Sequence, residues 1–117
     1  IWGKTAVAEF SAYCASKHAN IGFMRSLSKE LGPAGIRVNA VCPGWVETEA
    51  AMKSLKWMAK KSKTTEETLL KEIVDGQSID GLMLPGDISQ TYLFLASNHA
   101  ANVTGQALNV DRGEVMG

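Results

Sequence analysis

Apolar positions along the chain follow two different periods, which predict two kinds of element. In the stretch SAYCASKHANIGFMRSLSKEL apolar residues recur at every fourth position, which predicts a helix over residues 11–31: Ala15, Ala19, Phe23, Leu27 and Leu31. Gly32 and Pro33 end that helix. In GIRVNAVCPG the period shortens to two, so the run from Ile36 to Cys42 is predicted to be a strand closed by Pro43 and Gly44.

Downstream of this strand the pattern predicts three more helices and one more strand. Residues 48–63 carry an apolar stripe among lysines, and a second helix is predicted to start at Thr64, where Thr64 and Glu67 fit a capping box. The third opens at Pro85-Gly86-Asp87, and QALNV at residues 106–110 is the last strand. This order predicts an α/β fold with a parallel sheet. Two strands cannot cover the helices of such a layer, so we expect further strands from outside the chain.

Composition and charge narrow the classes of function. The chain has 117 residues, with 12 basic and 12 acidic side chains, and this balance argues against a nucleic-acid binder. No apolar run is long enough for a membrane span, and the first residues lack the pattern of a signal peptide. Cys14 and Cys42 have no metal-ligand spacing, so we interpret them as free thiols of a cytoplasmic protein in preference to a disulfide. His18 and His99 have no partner at ligand spacing either, and no metal site is predicted.

The candidate chemistry lies in the first helix, where Tyr13 and Lys17 are four residues apart. Residues at this spacing share one helical face. A tyrosine phenol ordinarily has a pKa of about 10, and a nearby ammonium favours its charged form. Such a phenol could donate or accept a proton at a hydroxyl or carbonyl oxygen. On the pair alone, a surface tyrosine beside a solvated lysine is the simpler interpretation.

The surroundings of the pair resemble the short-chain dehydrogenase/reductase family. SAYCASKHANIGFMRSLSKEL precedes GIRVNAVCPGWVET, and FLASNHAANVTGQALNVDRG follows later, in the order and spacing of that family. The matching positions are Tyr13 with Lys17, Asn39 with Pro43-Gly44, and Thr104-Gly105 leading to Asp111. The resemblance implies the C-terminal part of a Rossmann-type doubly wound parallel sheet with flanking helices.

The resemblance also implies a role for each site residue. Tyr13 would be the catalytic acid/base, and Lys17 would favour its charged form and bind the nicotinamide ribose of NAD or NADP. Pro43 and Gly44 would turn the chain so that the backbone near Val46 meets the carboxamide. The resemblance further implies that the hydroxyl of Thr48 contacts the cofactor. Trp45 would line the substrate pocket, and Trp57 is a further candidate for its lining. Residues 49–79 would form a substrate-binding excursion, a segment that leaves the sheet after the first predicted strand and closes over the pocket.

Several parts of the family pattern are not found in the sequence. The catalytic serine would fall immediately before Ile1, and the glycine-rich dinucleotide turn is absent. The resemblance therefore implies that residues 1–117 are the C-terminal half of one domain, without its dinucleotide-binding half. Arg112 stands where the family has a glycine, and we expect arginine to resist the turn there.

The resulting hypothesis is an NAD(P)-dependent oxidoreductase that interconverts a secondary alcohol and a ketone. A sugar alcohol or sugar derivative is one substrate class, and a 3-oxoacyl carrier-protein reductase is the alternative. An inactive truncated fragment that acts only as a packing module is the alternative from another class. The lysines of residues 53–63 fit either a phosphorylated substrate or a solvated helix face. The resemblance implies a homodimer or homotetramer, with Phe23, Leu27, Tyr92 and Leu108 as interface candidates.

Overall fold

The computed structural model describes all 117 residues. It contains four α-helices, two strands and two short 3₁₀ turns, at Gly32–Ala34 and Asn98–Ala100. In chain order the elements are α1 (Ser11–Leu31), β1 (Ala40–Pro43), α2 (Glu49–Lys61), α3 (Glu66–Asp75), α4 (Pro85–Ala96) and β2 (Ala107–Val110). The predicted element order is therefore confirmed. None of the helices has the length and apolar character that a membrane span requires.

β1 and β2 pair in parallel, with Ala40 opposite Ala107 and Pro43 opposite Val110. The strand was predicted from Ile36, but residues 36–39 lie outside it. The side chain of Asn39 bonds instead to the turn before β2, donating to the carbonyl of Val103 and accepting from the amide of Gln106. These side-chain bonds take the place of backbone pairing at Asn39, so the regular strand begins at the next residue, Ala40.

The hydrophobic core lies between α1 and the sheet. Ile21, Met24 and Cys42 form it, with Val38, Ala40 and Ala107 packed against them. The every-fourth-residue stripe that predicted α1 is not its buried face, because Ala15, Ala19 and Phe23 are exposed. Helix α1 has apolar residues on two faces, and the two strands of this chain cover only the face that carries Ile21 and Met24. Both cysteines are free thiols, as predicted, and the structure shows that both are buried.

Helices α2 and α3 each begin at a threonine cap. The side chain of Thr48 accepts a hydrogen bond from the amide of Ala51 and caps α2. The cap of α3 is Thr65, whose side chain accepts from Thr68, so the predicted start at Thr64 is wrong by one residue. Both residues are threonine and both can cap, so local sequence does not separate them. At α4, Asp87 accepts from the amide of Leu84, as its capping position predicted.

Candidate active site

Tyr13 and Lys17 lie side by side near the start of α1. The ammonium nitrogen of Lys17 is 5.0 Å from the centroid of the Tyr13 ring, which confirms that the two residues share a face. Tyr13 is 49% exposed, so its phenol is accessible, and Lys17 is half-buried. The pair therefore places a positive charge over the ring of an accessible tyrosine, and such a phenol could exchange a proton with a substrate oxygen.

A row of aromatic rings leads from Tyr13 to α2. Trp2 packs edge-on against Tyr13 at 5.7 Å between centroids, Phe10 lies 5.0 Å from Trp2, and Trp57 of α2 lies 5.5 Å from Phe10. A surface cavity of about 300 Å³ opens beside this row, lined by Phe10, Lys53, Ser54 and Trp57. Helix α2 thus contacts the segment that immediately precedes Tyr13.

The carboxyl ends of the two strands approach each other closely at Gly44, which follows β1. The Gly44 amide donates to the carbonyl of Val110 at 3.0 Å, and a Cβ at this position would lie 2.7 Å from the Cβ of Asp111. Only glycine allows the two strand ends to approach so closely. The backbone nitrogen of Ile1 donates to the carbonyl of Pro43 at 2.7 Å. Because Ile1 precedes Trp2, the strand end and the Tyr13 ring are connected through two adjacent residues.

The backbone of Val46 carries a free donor and a free acceptor. Val46 pairs with Met83 in an isolated parallel bridge, and its hydrogen bond runs from the amide of Glu47 to the carbonyl of Met83 at 2.8 Å. The N–H and C=O of Val46 itself take part in no hydrogen bond. A primary carboxamide offers the complementary acceptor and donor, so this half-buried backbone fits the amide end of a nicotinamide.

Two further predicted residues flank this loop. The hydroxyl oxygen of Thr48 accepts the capping bond of α2, which leaves its O–H free to donate. Trp45 is half-buried, and its indole nitrogen is buried without a hydrogen-bond partner. Trp45 is absent from the lining of the cavity beside Phe10, which Trp57 does line. The predicted substrate contact of Trp45 therefore stays a prediction.

The turn that follows β2 carries two carboxylates, those of Asp111 and Glu114. The Asp111 carboxylate accepts from the amides of Gly113 and Val115 at 3.1 and 3.0 Å. Glu114 follows, with one carboxylate oxygen buried and unpartnered. Burial raises the pKa of Glu114 above its ordinary value of 4.5, and the neighbouring charge of Asp111 raises it further. This turn packs against Gly44.

Comparison with known proteins decides the family. The family described as enoyl-(acyl carrier protein) reductase matches residues 1–114. A candidate ketoacyl reductase of the monensin polyketide synthase from Streptomyces virginiae is 41% identical over 111 residues, covering 95% of this chain and 42% of that protein. The chain belongs to the short-chain dehydrogenase/reductase family.

Solved structures agree with this assignment. Sorbitol-6-phosphate 2-dehydrogenase from Erwinia amylovora is 31% identical with a TM-score of 0.93, covering 98% of this chain and 45% of that one. A variant of actinorhodin polyketide ketoreductase with NADPH is 38% identical (TM-score 0.88; coverage 96% and 43%). A 4-hydroxyisoleucine dehydrogenase mutant with NADH and succinate is 35% identical (TM-score 0.81; coverage 99% and 44%). The chain spans less than half of each, and it matches the C-terminal part of the Rossmann-type short-chain dehydrogenase/reductase structures.

Within this short-chain dehydrogenase/reductase fold the structure adds contacts that the sequence did not predict. Phe10, Lys53 and Ser54 line the cavity, and Met83 holds the loop at Val46. Arg112 adopts φ of +55°, the left-handed conformation that we expected it to resist. Phe10 lies only three residues before Tyr13, so its position in the sequence already indicates that it lies near the candidate site. Met83 and Arg112 make their contacts over long sequence separations, and no local pattern predicts those contacts.

Proposed function

We propose that the complete protein carrying these residues is an NAD(P)-dependent oxidoreductase that interconverts a secondary alcohol and a ketone, with Tyr13 as acid/base. The observation that carries this proposal is the exposed Tyr13 phenol beside the Lys17 ammonium. In reduction Tyr13 donates its proton to the carbonyl oxygen of the substrate. In oxidation it accepts the proton of the hydroxyl.

The nicotinamide cofactor would supply the hydride in reduction and accept it in oxidation. Six residues of this chain would hold it: Tyr13, Lys17, Pro43, Gly44, Val46 and Thr48. Val46 offers the free N–H and C=O that suit the carboxamide, and Pro43-Gly44, at the end of β1, leads directly to them. Lys17 binds the ribose, and Thr48 has a hydroxyl proton to donate. The cofactor is NAD or NADP, and the relatives with NADH and with NADPH support both.

The chain itself forms the C-terminal half of a single Rossmann-type domain, and the dinucleotide-binding half lies outside it. Residues 49–79 form the substrate-binding excursion, built mainly of α2 and α3. Trp45 and the cavity beside Phe10 and Trp57 contribute to the pocket. The contact of α2 with the segment before Tyr13 supports this arrangement, because it brings the excursion to the catalytic tyrosine.

The favoured substrate is a sugar alcohol or sugar derivative. The similarity to sorbitol-6-phosphate 2-dehydrogenase supports it, and Lys53 in the cavity wall suits a polar substrate. Lys53 and Lys61 pair with Glu49 and Glu9, however, which favours a solvated face for most of the lysine run. A 3-oxoacyl thioester on a carrier protein is the second candidate, supported by the 41% identity to the candidate ketoacyl reductase.

The complete protein is a cytoplasmic homodimer or homotetramer. Two buried free thiols support a reducing compartment. Phe23 and Tyr92 are 69% and 56% exposed, on the outer faces of α1 and α4, and suit an interface or the rest of the domain. Leu27 and Leu108, the other interface candidates, are half-buried within the chain. Light scattering at micromolar concentration that showed a monomer would contradict this part of the proposal.

The test compares the two tyrosines of the chain in the complete protein. Reduction of NAD+ or NADP+ is followed by absorbance with sorbitol 6-phosphate as substrate, and oxidation of NADH or NADPH with its ketose and with an acetoacetyl thioester. Tyr13→Phe removes only the proton donor, so turnover should fall at least about 100-fold while cofactor binding is kept. Tyr92→Phe, at the exposed tyrosine of α4, is the matched control and should keep full turnover. Lys17→Ala should lower both turnover and cofactor affinity. Near-normal turnover by Tyr13→Phe would remove Tyr13 from the mechanism, and turnover of no substrate by the unaltered protein would favour an inactive module.

A further inference from the structure

Arg112 holds a backbone conformation that a side chain resists. Its φ of +55° lies in the left-handed region, where a residue other than glycine is strained by roughly 1 kcal/mol or more. Such a conformation persists when the surrounding contacts compensate for it. Arg112 lies in the turn directly after β2, between the buried Asp111 and Gly113.

The contacts of Arg112 all reach one segment, residues 78–82. Its carbonyl accepts from the amides of Ser78 and Ile79 at 2.8 and 3.0 Å. Its guanidinium donates from Nη1 to the carbonyl of Asp80 at 2.6 Å and from Nη2 to the carbonyl of Leu82 at 3.1 Å. One residue thus makes four hydrogen bonds to a stretch of five. The planar fork of the guanidinium is what allows two carbonyls to be bound at once.

The neighbouring Gly113 brings the same segment still closer. A Cβ at Gly113 would lie 2.7 Å from the hydroxyl oxygen of Ser78, and that hydroxyl donates to the Gly113 carbonyl at 3.2 Å. Residues 78–82 therefore lie directly over the turn at 112–113. Without the Arg112 side chain, Asp80 and Leu82 would lose their only hydrogen bonds to this turn.

The segment that Arg112 holds is the return path of the excursion. It follows α3, which ends at Asp75, and it leads into Met83, which bridges to Val46. The C-terminal end of this segment is thus fixed to residues 44–47, the loop that we assign to the cofactor and call the cofactor loop. Its N-terminal end is joined to α2 and α3. Fixing residues 78–82 sets where the excursion lies relative to that loop.

We infer that Arg112 is a positioning residue that fixes the substrate-binding excursion against the cofactor loop. This inference rests on the proposed function, since it concerns the placement of α2 and its cavity relative to Tyr13. Arg112 need not touch the substrate. It acts through the carbonyls of Asp80 and Leu82. Loss of its side chain loosens the excursion, which then keeps only the bonds from the amides of Ser78 and Ile79 to the backbone carbonyl of residue 112, while the backbone bonds of Gly44 and Glu47 keep the cofactor loop in place.

The decisive variant is Arg112→Gly in the complete protein, because it removes the guanidinium and also the left-handed strain. Its melting temperature should stay close to that of the unaltered protein. KM for the turned-over substrate should nevertheless rise about tenfold, with kcat and cofactor Kd within about twofold, since misplaced binding groups weaken substrate binding. Arg112→Lys, which can reach one carbonyl at a time, should show a smaller rise in KM. Unchanged KM in Arg112→Gly would overturn the inference.

Arg37→Ala is the matched control, because Arg37 also donates to a backbone carbonyl, that of Ser97, but from the segment that precedes β1. It should alter stability without altering KM. Amide hydrogen exchange of residues 76–84 supplies a second measurement that needs no turnover. Exchange there should become about tenfold faster in Arg112→Gly and stay unchanged in Arg37→Ala. Unchanged exchange in Arg112→Gly would overturn the inference by itself, whereas faster exchange in a protein without turnover would contradict the proposed function alone.

Discussion

The ends of the two strands and the helical excursion above them are held by different means. At the strand ends, backbone groups bond to one another, as between Gly44 and Val110 and between Glu47 and Met83. In the excursion, α3 buries no residue at all, and α2 buries only Leu55 and Ala59. Beyond its own helices, the excursion is held mainly by contacts of side chains: the Phe10–Trp57 contact on one side and the Arg112 guanidinium on the other. Two backbone bonds, from the amides of Ser78 and Ile79 to the Arg112 carbonyl, hold only its last residues.

This difference separates two tasks of the proposed enzyme. A site made of backbone groups does not change with side-chain substitution, which suits a cofactor common to many relatives. A site held by side chains can be altered residue by residue, which suits relatives named for different substrates. The comparison predicts that damage at the strand ends destabilises the fold, whereas damage in the excursion mainly alters substrate binding.

The largest effect is expected from Gly44→Ala. The added Cβ would lie 2.7 Å from the Cβ and 2.9 Å from the Cα of Asp111, and a backbone atom cannot move aside as a flexible side chain can. The free energy of unfolding should fall by about 3 kcal/mol, measured by urea denaturation of the complete protein. Gly22→Ala is the control, because a Cβ on Gly22 meets nothing within 4 Å and should stabilise α1 by roughly 0.5–1 kcal/mol. Equal stability of the two variants would contradict the close contact of the strand ends.

A smaller effect is expected from the two threonine caps. Thr48→Ala and Thr65→Ala each remove one capping bond and should each cost about 1 kcal/mol of stability. Only Thr48 lies beside the cofactor loop, so only Thr48→Ala should weaken NADH or NADPH binding, by about tenfold. Calorimetric titration measures this difference. Equal cofactor affinity in both variants would remove Thr48 from the cofactor site.

The smallest effect concerns the pH dependence of stability. Burial, and then the charge of Asp111, raise the pKa of Glu114, so the folded state holds this proton more tightly than the unfolded state does. Stability from this group is highest below the ordinary value of 4.5 and is lost as the pH rises through the raised pKa. Glu114→Gln should flatten that part of the melting-temperature profile. The exposed Glu72→Gln on α3 controls for the loss of a charge, and identical profiles for both variants would contradict the effect of burial.

The local features of this fold could be predicted from the sequence, and the long-range ones could not. The bounds of α1 were predicted because its period is strong and Gly32-Pro33 cannot continue it. The adjacency of Tyr13 and Lys17 follows from helical spacing alone. The buried face of α1 was not predictable, because it depends on which side the sheet covers. Nor was the contact of Phe10 with Trp57, which are 47 positions apart and meet only through the tertiary fold.

Arg112 is a second example of a long-range contact that the sequence could not predict. From the sequence it was a departure from the family pattern, and the cost of a positive φ was the only effect that could be foreseen. The structure shows what compensates for that cost: carbonyl groups from a segment about 30 residues earlier in the chain. Such a partner set has no local pattern, because backbone carbonyls are present at every position.

The most direct test of the difference between the two regions is amide hydrogen exchange across the complete protein, with and without NADH and the turned-over substrate. Amides of residues 40–47 and 107–115 should exchange slowly in the free protein and change little on substrate binding. Amides of residues 49–75 should exchange at least about tenfold faster and become protected when substrate is added to the cofactor complex. Equal protection of both regions in the free protein, or protection gained only at the strand ends, would contradict the account.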